Sequence, residues 1–152
     1  MTTGASIFSQ DQRDLLSAAF NRIVPAQDKF PGAGDLGGAQ FVEQVALKNI
    51  LLRRSFGEGL AQLEIAASQR GGDGFVALAP EMQDETLRRV ERENPAFFRE
   101  LVRQCYNFYY TNPEVFDLIG YTMPDPQDYQ PLPFDENLLE PVRQRGQMWR
   151  PV

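Results

Sequence analysis

The sequence predicts an all-α protein, with about six helices in a bundle followed by an extended proline-rich C-terminal arm. Apolar residues recur every three or four positions along most of residues 1–121. Asparagine precedes proline at Asn94-Pro95 and Asn112-Pro113, which indicates helix starts because proline is tolerated in the first helical turn. No segment shows sustained alternation of apolar and polar residues, so we predict no major sheet. We therefore expect a helical domain over 1–121 and the arm over 122–152.

The first helix is predicted from Ser9 to Ile23. Ser9 and Gln12 have the spacing of a capping box, in which each side chain bonds to a backbone N–H of the other residue. Pro25 ends the helix, since proline cannot donate the backbone hydrogen bond that would continue it. One face is apolar, and it consists of Leu15, Leu16, Ala19, Phe20 and Ile23.

Residues 24–38 are predicted to form an irregular loop, because they contain Pro25, Pro31 and four glycines. The part from Pro31 to Gly37 contains a Gly-x-Gly pattern that resembles a phosphate-binding loop. It follows a helix and not a strand, and it lacks a Walker lysine. We therefore interpret it as a structural turn or as a surface that meets a partner. We expect Phe30 to anchor the loop, either on its own bundle or on that partner.

Two further helices are predicted, from Gly38 to Leu52 and from Arg53 to Gln69. The glycines of residues 70–74 are suited to a left-handed end of the third helix. Both helices have an apolar stripe that we expect to face inward. The inward residues are Phe41, Val42, Val45 and Ile50 in the second helix, and Phe56, Leu60, Leu63 and Ala67 in the third.

The fourth helix is predicted to start near Pro80, with Glu81 at its positive end. The two Asn-Pro pairs start a fifth helix and a short sixth helix, which Gly120 ends. Apolar residues cover nearly half of the fifth helix, so we predict that it lies at the centre of the bundle. These residues are Phe97, Phe98, Leu101, Val102, Cys105, Phe108 and Tyr109.

Residues 122–152 differ in kind, since they hold six of the eleven prolines. Large apolar side chains are interspersed among these prolines, which a disordered tail would lack. We predict an extended arm over a surface, with one helical turn around Glu136 to Arg143. We expect the arm to lie partly against a partner with Trp149 as an anchor; the alternative is that it folds back on its own bundle. The apolar side chains are Tyr129, Leu132, Phe134, Leu138, Leu139, Val142, Met148 and Trp149.

The composition excludes several classes of function. The absence of histidine removes the commonest general acid–base and the commonest metal ligand. The single cysteine, Cys105, permits no internal disulfide, no Cys-x-x-Cys metal pair and no haem attachment motif. A net charge of −6 argues against nucleic acid as the main partner. No stretch approaches the roughly 18 apolar residues of a membrane span, and residues 1–12 lead us to expect no export signal of the chain's own.

Carboxylates are the only groups left for acid–base chemistry. Several lie on helices with arginines nearby; they are Glu58, Glu64, Asp84 and Glu85, the last two beside Arg88 and Arg89. We interpret them as solvated surface pairs, because catalytic acids need burial that these patterns do not show. The aromatic set of the fifth helix, which could line a flavin or haem pocket, is interpreted as core, with Cys105 as a buried small hydrophobe.

One stretch of the chain resembles a known family. It consists of Phe20-Asn21-Arg22-Ile23-Val24-Pro25-Ala26-Gln27-Asp28, then Phe30-Pro31-Gly32-Ala33, then Phe41-Val42-Glu43. This run is similar to the gluconate 2-dehydrogenase subunit 3 family, the small subunit of bacterial flavin-dependent sugar dehydrogenases. The likeness covers roughly Leu15 to Tyr121. Weaker features follow in the same order, namely Gly59-Leu60, Phe75-x-x-Leu78 before Pro80, Gln83, Phe97-Phe98 and Ile119-Gly120-Tyr121.

The resemblance implies the non-catalytic small (gamma) subunit of a heteromeric oxidoreductase. In such complexes a large subunit of the glucose-methanol-choline type holds FAD and oxidises a sugar or sugar derivative, and a separate cytochrome c often accepts the electrons. The small subunit is implicated in the maturation, export and stability of the large one. The resemblance implies no catalytic, cofactor-binding or metal-binding residue in this chain. We therefore expect the isolated chain to show no flavin or haem absorbance.

Many members of that family begin with a twin-arginine signal, which this sequence does not show. The resemblance therefore implies either a periplasmic complex, co-exported with a signal-bearing partner, or a cytoplasmic complex.

Three hypotheses follow: a permanent subunit of the dehydrogenase, a transient folding or export helper for the flavoprotein, and a small acid–base enzyme that relies on Asp and Glu alone. Under the first two, we expect the partner to contact the loop, the end of the helical domain and the arm. The candidate partner-binding residues are Pro25, Asp28, Phe30, Pro31, Gly32, Tyr121, Tyr129, Phe134 and Trp149.

Overall fold

The computed structural model describes residues 6–71, 73–125 and 134–146. Within these ranges the chain forms seven α-helices and no strand, which confirms the all-α prediction. The chain divides into two compact units, residues 1–121 and residues 122–152. The helices are α1 (Gln10–Ile23), α2 (Gly38–Lys48), α3 (Ile50–Ser68), α4 (Pro80–Glu93), α5 (Pro95–Tyr109), α6 (Pro113–Ile119) and α7 (Glu140–Arg145), with short 3-10 helices at Phe75–Ala77 and Glu136–Leu139.

Most helix ends lie where the local signals predict them. The Ser9 hydroxyl accepts the Gln12 N–H at 3.1 Å, and the Gln12 side chain accepts the Ser9 N–H at 3.0 Å, so the capping box is complete. The side chains of Asn94 and Asn112 accept backbone N–H groups in the first turns of α5 and α6. Gly120 ends α6 with a left-handed φ of 69°. These ends are predictable because each depends on residues only two or three positions apart.

The boundary between the second and third helices was predicted wrongly. α2 ends at Lys48, and Asn49 adopts extended backbone angles. The Asn49 side-chain oxygen accepts the N–H groups of Leu51 and Leu52, each at 3.1 Å, and thereby starts α3. The apolar spacing runs through this position without interruption, which concealed the cap. As a consequence Ile50, expected to face inward, is 72% exposed.

In the first unit α5 lies against α1, α2, α3 and α4, but α1 and α3 each contact four helices as well, so the predicted central position of α5 is shared by three helices. Phe56 and Phe97 are fully buried and meet edge to face, with their ring centres 5.6 Å apart. Cys105 is also fully buried on α5, and burial raises the pKa of its thiol to about 12. The interpretation of Cys105 as a small core hydrophobe is therefore confirmed.

The second unit is described over residues 122–125 and 134–146. The 3-10 helix at Glu136–Leu139 runs directly into α7, close to the helical turn predicted around Glu136 to Arg143. Every described residue of this unit is exposed, including the large side chain of Phe134. Two of the predicted anchors, Tyr129 and Trp149, lie outside the described residues. The surface on which the arm lies stays a prediction.

Candidate partner-binding surface

Asn21 organises the loop between α1 and α2. Its side-chain oxygen accepts the Gly34 N–H at 2.8 Å, and its side-chain nitrogen donates to the Asp35 carboxylate at 2.9 Å. Gly34 lies directly against the Ser17 carbonyl of α1, where an added Cβ would overlap the backbone. The loop therefore needs a glycine at position 34 because two backbone segments approach closely there.

The second half of the loop packs against the bundle. Ala33 is fully buried, and its N–H donates to the Val24 carbonyl at 3.0 Å. The Tyr109 hydroxyl of α5 donates to the Pro31 carbonyl at 3.1 Å, which holds the loop against α5. Gly32 is buried against the Asn21 side chain, where an added Cβ would overlap the side-chain oxygen of Asn21. These contacts hold the backbone in place.

The tip of the loop is a tight turn fixed to α6. Gln27 and Phe30 exchange two backbone hydrogen bonds of 2.9 and 2.8 Å, and Asp28 between them has a left-handed φ of 51°. The Lys29 ammonium lies 5.5 Å from the centre of the Phe30 ring and donates to the Leu118 carbonyl at 2.8 Å. Phe30 itself is only half-buried, which leaves one side of its ring open to an adjoining groove.

This groove, which we call the tyrosine groove, has a volume of about 330 Å³ and no charged side chain in its lining. Three of its large side chains are substantially exposed: Tyr106 at 45%, Tyr110 at 59% and Ile119 at 55%. An open concave surface with large apolar side chains is typical of a binding site. The lining residues are Ile23, Val24, Pro25, Gln27, Phe30, Tyr106, Tyr109, Tyr110, Val115 and Ile119.

A second groove adjoins the first, because both are lined by Ile23 and Tyr106. We call it the arginine groove; it has a volume of about 360 Å³ and is lined by Arg22, Ile23, Asp84, Leu87, Arg88, Phe98, Val102 and Tyr106. The Arg22 guanidinium donates to both oxygens of Asp84, at 2.7 and 2.8 Å. This bidentate pair lowers the pKa of Asp84, so the carboxylate remains charged and neutralises Arg22.

Comparison with known protein families identifies the class of molecule to which this surface belongs. Residues 10–124 match the family model described as Gluconate 2-dehydrogenase subunit 3. The chain belongs to the gluconate 2-dehydrogenase subunit 3 family. The match confirms the resemblance and covers α1 to α6 together with the loop and both grooves. No curated protein and no solved structure matches the chain.

The structure brings together some of the residues that were predicted from the sequence to bind a partner. Pro25 and Phe30 line the tyrosine groove, and Pro31 and Gly32 support it from within the loop. Asp28 is exposed at the tip.

The remaining candidates lie elsewhere. Tyr121 is exposed and contacts Phe116, with ring centres 4.9 Å apart, but it does not line the tyrosine groove. Phe134 lies in the second unit and is exposed. Tyr129 and Trp149 are outside the described residues, so their role as partner contacts stays a prediction.

Three of the most exposed groove residues were not predicted from the sequence, namely Tyr106, Tyr110 and Ile119. A signal for them was present. Tyr106 and Tyr110 are four residues apart, so they share a face of the fifth helix just outside its core stripe. Two neighbouring aromatic side chains beside a core stripe indicate a contact surface, and the structure shows that both are exposed.

The paired carboxylates differ from the prediction in their partners. Asp84 and Glu85 do not pair with Arg88 and Arg89 of their own helix. They pair with Arg22 and Arg70 from other segments, at 2.7 and 2.6 Å. The helical spacing suggested local partners because it carries no information about neighbouring elements. Glu58 does form the expected exposed surface pair, with Arg54 at 2.8 Å.

Glu64 contacts a backbone N–H group and not an arginine side chain. Its carboxylate accepts the Phe75 N–H at 3.3 Å and borders a pocket of about 560 Å³ that Asp11, Asp14 and Asp73 also line.

In the described ranges, no group of three or more potential ligand side chains is arranged to hold a metal ion. None of the helices described in these ranges is both long and apolar enough to cross a bilayer.

Proposed function

We propose that this chain is the non-catalytic small subunit of an FAD-dependent sugar or glycoside dehydrogenase. In this proposal it stabilises or matures a large flavoprotein of the glucose-methanol-choline type. One observation carries the proposal: the loop that resembles the family most specifically, around Pro25 and Phe30, forms a wall of the open tyrosine groove. The family's characteristic sequence thus builds a surface suited to a partner.

The energetics of the groove favour a protein partner. Tyr106, Tyr110 and Ile119 leave large apolar areas in water, and burying such area gains about 25 cal/mol per Å². The two adjoining grooves would form one part of a standard interface, which buries about 1,600 Å² in total.

In this proposal the large subunit, and not this chain, oxidises the sugar. The chain contains no histidine, and the carboxylates Glu58, Asp84 and Glu85 are engaged in ion pairs. FAD in the large subunit would accept the hydride from the sugar, and an acceptor such as a cytochrome c would receive the electrons. We propose that the large subunit also sets the compartment: the periplasm where it carries an export signal, and the cytoplasm where it does not.

Co-expression tests this proposal. The chain, tagged for purification, is produced together with a flavoprotein of the glucose-methanol-choline type from the same genome, and that flavoprotein is also produced alone. We expect a one-to-one complex that shows FAD absorbance and reduces an acceptor dye with D-gluconate or a related sugar. Without this chain, the yield of FAD-loaded flavoprotein should fall severalfold.

Two other outcomes have distinct meanings. An increase in FAD loading without a lasting complex would identify a transient folding or export helper. Equal yield, FAD content and activity with and without the chain, and no complex, would overturn the proposal. If the isolated chain converted the sugar without flavin, the acid–base enzyme hypothesis would replace it.

A further inference from the structure

The tyrosine and arginine grooves form one continuous surface through their shared residues, Ile23 and Tyr106. Their volumes of about 330 and 360 Å³ each lie at the small end of the range for ligand pockets, about 300–1,000 Å³. A concave surface of this size fits a short stretch of side chains better than the broad face of a folded domain. The surface therefore favours a single segment that runs from one groove into the next.

The charges of the surface differ from those of the whole chain, whose net charge is −6. The tyrosine groove has no charged lining residue, and in the arginine groove Arg22 and Asp84 neutralise each other. Arg88 is exposed and gives the lining of the arginine groove one net positive charge, although it also interacts electrostatically with Asp84, and Glu81 outside the lining interacts with Arg22. By contrast, the pocket beside Glu64 is lined by four carboxylates and no cation. An acidic partner residue is thus repelled by most of the chain and attracted to Arg88.

The aromatic lining indicates what occupies the neutral part. The ring of Tyr110 lies 5.9 Å from that of Tyr106 and 5.5 Å from that of Tyr109, measured between ring centres. Tyrosine-lined grooves bind extended segments that contain proline, because such segments lose little conformational entropy on binding. Their backbone carbonyls have no internal hydrogen bonds, so tyrosine hydroxyls can donate to them.

We propose that the two grooves together bind one extended segment of the large flavoprotein. Proline or aliphatic side chains of this segment occupy the tyrosine groove, and a carboxylate that follows them pairs with Arg88. This assignment rests on the proposed function, and it adds the surface, the conformation and the charge pattern of the bound segment.

Matched substitutions test the surface. Ile119→Ser and Tyr110→Ser remove contacts in the tyrosine groove, and Arg88→Glu reverses the charge of the arginine groove. Ile65→Ser is the control for Ile119→Ser, since Ile65 is 59% exposed and lines neither groove. Arg92→Glu, on the same helix as Arg88, controls for charge reversal. We expect each groove variant to raise the Kd for the purified flavoprotein by about tenfold or more, and each control by less than about twofold.

The dependence of Kd on ionic strength and the melting temperatures of the variants provide two further tests. The effect of Arg88→Glu should shrink as ionic strength rises, whereas that of Ile119→Ser should not, because only the first is electrostatic. Melting temperatures of the isolated variants should stay close to the wild type, since the altered side chains are exposed; Tyr110→Ser, which also removes ring contacts with Tyr106 and Tyr109, should lower it the most. If the wild-type chain forms no complex, the proposed function fails; if the groove variants bind as tightly as the wild type, the docking assignment alone fails.

Photo-crosslinking identifies the occupant. Tyr110 is replaced by p-benzoylphenylalanine in the intact co-expressed complex, and the crosslinked peptide is identified by mass spectrometry. We expect one stretch of the flavoprotein that contains proline, with an acidic residue within a few positions. Crosslinks to a flavoprotein helix, to a second copy of this chain or to residues 122–152 of the same chain would each overturn the assignment.

Discussion

Gly34 shows how a single missing side chain shapes the partner-binding loop. Its backbone lies against the Ser17 carbonyl, and its N–H is held by Asn21 at 2.8 Å. There is no room for a Cβ, so the reason for glycine here is a close approach of two backbones and not a special φ. Because the loop carries Pro25 and Phe30, the fit at Gly34 also determines the wall of the tyrosine groove.

We expect Gly34→Ala to lower the free energy of unfolding by about 1–3 kcal/mol, the usual cost of overpacking a tight site. Gly57→Ala is the matched control, because a Cβ at Gly57 in α3 meets nothing within 4 Å. That change should raise stability by about 0.5–1 kcal/mol, since alanine favours a helix more than glycine does. Urea denaturation measures both, and equal effects of the two substitutions would refute the close-approach argument.

Cys105 gives a second prediction at the level of a single residue. Burial raises the pKa of its thiol to about 12, so almost no reactive thiolate exists at pH 8. We expect a thiol reagent such as DTNB to label the folded protein at least about a hundredfold more slowly than the urea-unfolded protein. Rapid labelling of the native chain would show that Cys105 is accessible.

Glu43 of α2 holds the N-terminal segment, residues 6–8, against this helix. One oxygen of this nearly buried carboxylate accepts the Ser6 hydroxyl and the N–H groups of Ile7 and Phe8, at 2.9, 2.8 and 3.1 Å. Burial by itself would raise the pKa of Glu43, but these hydrogen bonds and the positive charge of Arg13, 3.5 Å from the other carboxylate oxygen, outweigh it and lower the pKa. The charged form is therefore favoured by folding.

The pH dependence follows from the sign of that shift. A carboxylate with a lowered pKa stabilises the folded state above its unfolded pKa, about 4.5, and the stabilisation is lost as the pH falls through the lower folded value. We expect Glu43→Gln to cost about 1.5–3 kcal/mol at pH 7, and the difference from wild type to shrink below about pH 4.5.

Thermal melts from pH 7 to pH 3 measure this dependence. Glu58→Gln serves as the control, since Glu58 forms an exposed pair with Arg54 and its loss should change stability by less than about 1 kcal/mol. A constant difference between Glu43→Gln and wild type over the whole range would contradict the role of the charge.

Helix ends were predictable from the sequence only in part. The starts of α1, α5 and α6 were predictable because capping residues act on the next two or three positions. Asn49 is an equally local cap, but the apolar spacing continued across it and concealed the boundary.

The candidate site was only partly predictable. The loop could be located from its Pro, Gly and family residues, whereas the tyrosines of α5 join it only through the packing of distant segments. The same limitation explains the Arg22–Asp84 pair, whose members are 62 residues apart. Local periodicity determines which face of a helix is apolar, and it does not determine which other element that face meets.

The two compact units differ in how far they bury their apolar side chains. Residues 1–121 bury a set of phenylalanines that includes Phe20, Phe56 and Phe97. Residues 134–146 of the second unit expose Phe134 and Leu138. Holding a backbone residue in place costs about 1–2 kcal/mol, which such side chains offset only when they are buried. Either a partner surface, as we predict, or the chain's own bundle would have to supply that burial for the described part of this unit.

We therefore expect a chain that ends at Tyr121, without residues 122–152, to fold and to bind the flavoprotein about tenfold more weakly. Its melting temperature should stay within a few degrees of the full chain, because its compact unit and its core are retained. Circular dichroism melts and a Kd measured with the purified flavoprotein check the two parts separately. Phe134→Ser in the full chain gives a milder test, with weaker binding and an unchanged melting temperature. A truncated chain that unfolds would show that the arm stabilises its own bundle, and one that binds as tightly as the full chain would remove the arm from the interface.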